Sequence, residues 1–473
     1  MTGESKLPDN DDIQDLLKAF ERLCAGRGNG FLSEDSFERI IDHFDDINSL
    51  SKAMEAAEMG VLQYPYSCTL LVKKADLLIA NRQYKRALVV LDKAEILDRN
   101  DIDIYVLRTD AYLALDMQDK AVALLEDVIS QFDGEERIDL LFELADVYDD
   151  YEAFEKIFDC LKLILDYDPN NEEALYKICF WTDFTGRSEE SIRLHLKIIE
   201  DFPYNDLAWF NLAAAYQGLR LFEKSIDAYQ YAIAINEKFD FAYRNMADAM
   251  MRLHRYKEAI ESLERVIELA RPEDLIYQAI GFCYEKIKNY AQARFYYRKA
   301  SHLNPDDAKI YLKVAGTYIK ESKHAQAIKY LDTSLRIKRL DPEFNLTMGE
   351  CLVKVGKLKE AVHYFMAAVQ ARPKNIKSWD ALIAALFVSG QFKEAQKQVE
   401  MARNQTVNKP MFDYYDSAIL LSIGKIKPGL DLLEHSIEAQ PRLLKKFLKL
   451  YPSSVKFPQV VELILKYKRK KRI

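Results

Sequence analysis

DLIYQAIGFCYEKIKNYAQARFYYRKASHLNPDD, residues 274–307, decides the fold. Its patterned residues fall in two groups. Tyr277, Ile280, Gly281 and Tyr284 come first; Ala293, Tyr297 and Ala300 follow, and Pro305 closes the stretch. Within each group the spacings are three and four, which places the side chains on one face of a helix. The stretch therefore predicts two helices joined by a turn. Pro305 ends the second helix, because proline cannot continue an i to i−4 hydrogen-bond ladder.

The same unit repeats outward in both directions. Downstream of Ala293 a small residue returns every 34 positions at Ala327, Ala361, Ala395 and Gly429. Upstream it returns at Ala259, Ser225 and Ser191 and, after one slip of two residues, at Ala121, Ala87 and Ala53. The unit near 206 carries Trp209, Leu212, Ala213, Tyr216, Ser225, Tyr229 and Ala232; the unit near 376 carries Trp379, Leu382, Leu386, Ala395, Val399 and Ala402. Pro65, Pro169, Pro203, Pro305, Pro373 and Pro441 share one phase. Twelve units fit, starting near residues 34, 68, 102, 138, 172, 206, 240, 274, 308, 342, 376 and 410, numbered here as repeats 1–12. A period of this length marks a helix-turn-helix solenoid. The small residue is expected where the two helices of a unit cross, since a larger side chain would push them apart. In repeat 4 Ile157 takes its place. The slip, near Asp133-Gly134-Glu135-Glu136, reads either as a longer inter-repeat loop or as a hinge.

These units resemble the tetratricopeptide repeat, whose signature is an aromatic, Leu-small, Tyr, then Ala, aromatic, Ala and Pro at these offsets. The resemblance covers about residues 34–443 and implies an all-α, right-handed superhelix, or solenoid. Residues 1–33 are expected to be a polar N-terminus plus a capping helix over 11–25 that covers the first repeat's apolar face. Residues 444–473 are expected to form two capping helices and a basic tail. Terminal units of a stack need such covers for solubility.

Composition agrees. A single core does not grow to 473 residues, whereas a stack in which each unit touches only its neighbours can. Gly is 15 and Pro 13, both low, which favours helix throughout. No apolar run approaches a membrane span. MTGESKLPDNDD at the start is polar and acidic, unlike a secretory signal, and Thr2 stands where myristoylation needs glycine. The six scattered cysteines (Cys24, Cys68, Cys160, Cys179, Cys283 and Cys351) read as buried core thiols in a reducing, cytoplasmic setting, with no disulfide or metal role. Charge is split. Residues 1–200 hold 44 acidic and 22 basic side chains, the remainder 31 and 45, so a strong dipole that steers charged partners is expected.

No catalytic, cofactor or metal constellation emerges, and the repeats leave no room for an enzyme domain or a small-molecule substrate site. The seven histidines lie in separate repeats and read as surface or helix-face residues. Gly26-Arg27-Gly28-Asn29-Gly30 lacks G-K-[ST] and reads as a turn. Asp45-Asp46 and Asp149-Asp150 sit at the ends of first helices without an acid-base partner.

The resemblance implies that first helices line a concave face and that positions 2, 5, 6, 9, 12 and 13 of each repeat meet ligands. Position 9 gives Asp42, Asp76, Asp110 and Asp146 in repeats 1–4, one line of acids. Asp35, Asp103, Asp139 and Glu173 add to it from position 2, and Asp45, Asp149, Asp150 and Asp183 from positions 12 and 13. Next come Phe142, Tyr176, Phe180, Phe184 and Phe210, at positions outside the core signature. Beyond them the lining is mixed: Arg244, Asp248, Phe282, Lys309, Lys320, Glu350, Lys354 and Phe387. The Lys and Asn pair of the family's carboxylate clamp is missing from every repeat, and the asparagine ladder of sugar-transferase arrays survives only as Asn211 and Asn245.

Two readings of this face stand side by side. The acids solvate an open surface while the aromatics pack on neighbouring helices, or the groove holds an extended, basic protein segment with apolar anchors. The second makes the chain a non-catalytic protein-protein interaction scaffold. The alternative function is a ribosome-, nucleic-acid- or membrane-surface-associated factor. It would act through the basic C-terminal half and the tail Lys466, Lys468, Arg469, Lys470, Lys471 and Arg472. The tail could also engage the acidic groove of a second copy, head to tail.

Overall fold

A computed structural model describes residues 10–25, 31–271, 273–407 and 409–470. The turn expected at Gly26–Gly30 and the tail residues Lys471 and Arg472 lie outside them, as do the side chains of Lys468, Arg469 and Lys470. The described residues form 27 α-helices and three short 3-10 segments, with no strand. The twelve expected pairs are all present. First helices begin at Glu34, Cys68, Ile102, Gly134, Glu172, Asp206, Asp240, Asp274, Ala308, Pro342, Ile376 and Lys409. Short polar side chains start many of them. Ser33, Ser67, Asp101, Asn171, Asn205, Asp307, Asp341 and Asn375 each accept a backbone N–H of the following first turn. Such a cap satisfies a donor that the helix itself leaves unpaired.

Within each repeat the two helices meet at the small residue. Ala53, Ala87, Ala121, Ser191, Ser225, Ala259, Ala293, Ala327, Ala361 and Ala395 are 0–1% exposed, and Gly429 is buried. Ile157 is buried at the same place in repeat 4. The fourth residue of several repeats ties the unit to the turn before it. Trp209 and Trp379 donate indole N–H to the carbonyls of Pro203 and Pro373 at 2.9 and 2.7 Å, and Tyr105 reaches Arg99 O at 3.0 Å. The turn carbonyl accepts each time from six residues downstream, so the proline phase and the aromatic phase form one device.

The two-residue slip takes the form of helix, not of a longer loop. The second helix of repeat 3 is short, Gln118–Val128, and runs into a 3-10 turn, Ile129–Gln131. Gly134, at φ +67°, then opens a first helix of 17 residues, Gly134–Asp150, where 13 or 14 is the rule elsewhere. Its N–H donates to the Tyr167 hydroxyl at 2.7 Å, and Arg137 lies over the Tyr167 ring at 5.4 Å. Glu135 and Glu136 face the positive helix start. The surplus residues thus become an extra helical turn.

The chain divides into two compact units, Met1–Glu237 and Lys238–Ile473, with repeats 1–6 in the first and 7–12 in the second. In the first unit the helix Asn10–Cys24 lays Phe20 against Phe37, Ile40 and Phe44, closing the open face of repeat 1. In the second, Leu444–Leu450 and Pro458–Lys470 bury Phe447 and Val460 in a core shared with Tyr414 and Leu433. Two expectations about single residues are corrected. Cys24 is an exposed free thiol, since it ends the capping helix instead of entering a core. His195 is wholly buried between helices, its ring Nδ1 2.7 Å from Ser191 O, and burial lowers its pKa to about 4.

Candidate protein-binding groove

In the first unit the first helices of repeats 1–4 pack side by side, as do those of repeats 5 and 6, which brings equivalent positions of successive repeats together. Asp42, Asp76, Asp110 and Asp146 all reach solvent on this face, the last three with carboxylates partly desolvated by neighbouring helices. Asp42 accepts a hydrogen bond from Lys73 Nζ at 2.5 Å. Burial of its carboxylate raises the pKa of Asp76, helped by Asp45 and Asp103 and opposed by Lys73. Asp110 is raised by burial and then by Asp76. Asp146 is raised by burial, with Asp149, Glu173 and Asp150 adding and Lys177 opposing. Partial desolvation and like charge both disfavour the ionised form. The acids of four consecutive repeats therefore sense one another across helices.

Glu143 completes this line and went unread in the sequence. It occupies position 6 of repeat 4, where burial among Asp110, Asp146 and Asp150 pushes its carboxyl up to about 7. Position 6 also supplies Lys73 and Lys177, so the line is acidic with two internal cations. Lys177 bonds Glu173 at 2.8 Å and lies over the Phe142 ring at 4.8 Å. Counting position 6 together with position 9 would have found all three.

The aromatic group divides. Tyr176, Phe180 and Phe184 are 63%, 61% and 56% exposed. Phe180 and Phe184 stack at 5.9 Å and both meet Trp181, whose other neighbour is Phe154 at 5.5 Å. Phe154 and Trp181 thus form the base that holds the exposed pair, a role unreadable from position alone because Phe154 opens a second helix. Phe142 and Phe210 are half-buried, Phe210 against the core Tyr229 at 5.6 Å, so neither is a free anchor.

In the second unit the expected lining is largely paired. Arg244 binds Glu273 at 3.0 Å, and Lys320 binds Glu285 at 2.5 Å. Phe282 is partly exposed, with Lys286 over its ring at 4.9 Å and Tyr256 at its edge. Phe387 leaves the lining altogether: it is 7% exposed, covered by Phe392 and by Tyr451 of the terminal segment. Asn211 is likewise a structural residue, its buried amide donating to Leu175 O of the preceding repeat at 2.7 Å. Among the described residues no group of three or more His, Cys, Asp or Glu side chains is set to hold a metal ion. No described helix is long and apolar enough to cross a membrane.

Helix pairs repeated at 34 residues define the class as a helical-repeat interaction scaffold. Within it the C-terminal ARM domain of tetratricopeptide repeat protein 21 matches residues 210–355, and a tetratricopeptide repeat matches residues 342–375. Together with the twelve helix pairs, these matches support a tetratricopeptide-repeat protein. Similar solved structures include YrrB, described as a TPR protein with an unusual peptide-binding site (16% identity, 40% of this chain and 96% of that one, TM-score 0.35). They also include the APC/C hetero-tetramer Cut9-Hcn1 (11%, 90% and 99%, TM-score 0.34). A third is the C-terminal part of a TPR repeat-containing protein from Cytophaga hutchinsonii (15%, 51% and 98%, TM-score 0.45). A comparison with curated proteins gives no match.

Proposed function

We propose that the chain is a non-catalytic, cytoplasmic scaffold whose first unit holds an extended, Lys/Arg-rich protein segment against the first helices of repeats 1–5. The observation that carries this reading is the electrostatic coupling of Asp76, Asp110, Glu143 and Asp146 beside the exposed Tyr176, Phe180 and Phe184. Carboxylates held in an unfavourable environment gain when a cation arrives, and the aromatics offer an anchor for one apolar side chain. Long-range attraction sets the association rate, and the anchor sets the residence time.

The test uses a fluorescent, capped peptide rich in Lys and Arg with one central Phe, mixed with the full chain by stopped flow. Converting Asp42, Asp76, Asp110 and Asp146 together to Asn should slow association by about tenfold or more at low salt and flatten its salt dependence. Phe180→Ala should mainly speed dissociation, leaving the melting temperature in place. An unchanged association rate in the Asn variant at low ionic strength would remove the acids from the site.

A second reading rests on charge: residues 238–473 carry 43 basic and 26 acidic side chains. On that reading the basic half or tail engages ribosome, nucleic acid, an anionic membrane or the acidic groove of another copy. Deleting residues 466–473 should then reduce co-sedimentation with ribosomes or anionic vesicles, or reduce self-association; unchanged behaviour in all three makes the tail passive.

A further inference from the structure

The first helices of repeats 10 and 11, Pro342–Lys354 and Ile376–Val388, border an open hollow of about 410 Å3. Its origin is a run of small side chains. Ala381, Ala384 and Ala385 stand at helical spacing on one wall, and Ala384 occupies the ninth position, where repeats 5 and 8 carry Phe180 and Phe282. The floor is apolar and firm: Cys351, Phe365 and Ala385 are buried. Val353 and Val388 are exposed at its edges. Its size falls within the range of about 300–1,000 Å3 typical of ligand pockets.

The polar groups at the rim are asymmetric. Lys354 lines the hollow and Lys377 lies within electrostatic reach of Glu350; neither lysine side chain makes an ion pair among the described residues. Glu350 is the one carboxylate among the lining residues, and burial raises its pKa while Lys377 opposes the rise. His324 adds a buried Nδ1 without a hydrogen-bond partner. Two lysines against a single lining carboxylate, in a half of the chain with 43 basic and 26 acidic residues, favour an anionic occupant.

We propose that this hollow seats one bulky apolar side chain of an extended acidic protein segment, with the carboxylates flanking that side chain paired to Lys354 and Lys377. Filling an apolar hollow with a single anchor supplies affinity, and the flanking charges orient the segment. The proposal stands apart from the acidic groove: the two sites lie in different units and select opposite charges, so either can fail alone.

Fluorescence anisotropy on the full chain tests it, with labelled, capped Glu-Glu-Phe-Glu-Glu as probe. Saturable binding is expected. Exchanging the probe's Phe for Ser, or its four Glu for Lys, should weaken binding by about tenfold or more. In the chain, Ala384→Phe fills the hollow and Lys354→Glu reverses its rim; each should weaken the acidic probe by about tenfold at an unchanged melting temperature. Ala381→Leu fills the hollow from a second point should Ala384→Phe unfold the repeat. Absent saturation, equal binding of the Ser probe, or indifference to both filling variants overturns the proposal. So does dodecanoate binding that is sensitive to Ala384→Phe in a chain that ignores the peptide, which would make the hollow a site for a small amphipathic anion.

Discussion

Ala293 shows what a single residue has to do in this fold. It is wholly buried where the helices Asp274–Lys286 and Tyr290–Leu303 cross, in a cluster with Tyr277, Tyr297 and Ala300. Opposite it Gly281 is equally constrained, because a Cβ there would come within 2.6 Å of the Tyr297 ring. Ala293→Leu should therefore cost about 1–3 kcal/mol through overpacking, read as a lower denaturation midpoint. A midpoint equal to wild type would mean the crossing lies elsewhere. Such positions were legible because helix crossing admits only the smallest residue types, and so writes a visible period. Exposure on the other face was less legible. Phe387 and Phe282 look alike in the sequence, yet Tyr451, more than sixty residues downstream, covers only the first. Phe210 and Phe180 differ for the same reason: one meets a core tyrosine of its own repeat, the other a base of Phe154 and Trp181. Burial on a repeat's free face is set by neighbours that the local pattern does not contain.

At the scale of the element, the turn between first and second helices has a constraint of its own. One residue in each repeat takes positive φ: Asn48, Arg82, Asp116, Glu152, Gly186, Arg220, His254, Lys288, Ser322, Gly356, Gly390 and Gly424. These positions keep the 34-residue beat, with the same two-residue offset before Glu152. The hydrogen bonds explain the need. In repeat 8, Lys288 N–H reaches Glu285 O at 3.0 Å and Asn289 N–H reaches Tyr284 O at 2.8 Å, pairing carbonyls the helix end leaves over. A left-handed residue closes that geometry, at about 1–2 kcal/mol for a side chain bearing Cβ. Lys288→Gly should consequently stabilise the chain by roughly 0.5–1 kcal/mol, after the added freedom of glycine in the unfolded state is subtracted. A thermal or urea midpoint that falls instead would show that the Lys288 side chain contributes more than its backbone costs. The sequence conceals this constraint, because eight of the twelve positions are not glycine. It conceals the long helix Gly134–Asp150 too, since Asp-Gly followed by two glutamates reads equally well as a loop and as a capped helix start.

For the molecule as a whole, charge is distributed by unit: residues 1–237 carry 49 acidic and 24 basic side chains. Part of that excess gathers around Glu143, half-buried beside Asp110, Asp146 and Asp150. Its carboxyl is raised to about 7, above the ordinary glutamate value, so the folded chain keeps a proton that the unfolded chain has already released. The stability linked to this group is therefore full at acid pH and declines as pH rises from the ordinary glutamate range through about 7. Asp76, Asp110 and Asp146, also raised, act in the same sense. Glu143→Gln should accordingly raise the melting temperature at pH 8 and change it little at pH 5, where the native side chain is already neutral. A basic segment docking on these repeats would supply the missing counter-charge and draw the carboxyl back down, expelling its proton. Binding of the Lys/Arg-rich probe should then tighten between pH 6 and pH 8, with a calorimetric heat that depends on the buffer's ionisation enthalpy. In Glu143→Gln both the pH trend and the buffer dependence should shrink. If the variant binds with the same pH profile and the same proton release as the native chain, Glu143 is not the group that couples this surface to its partner.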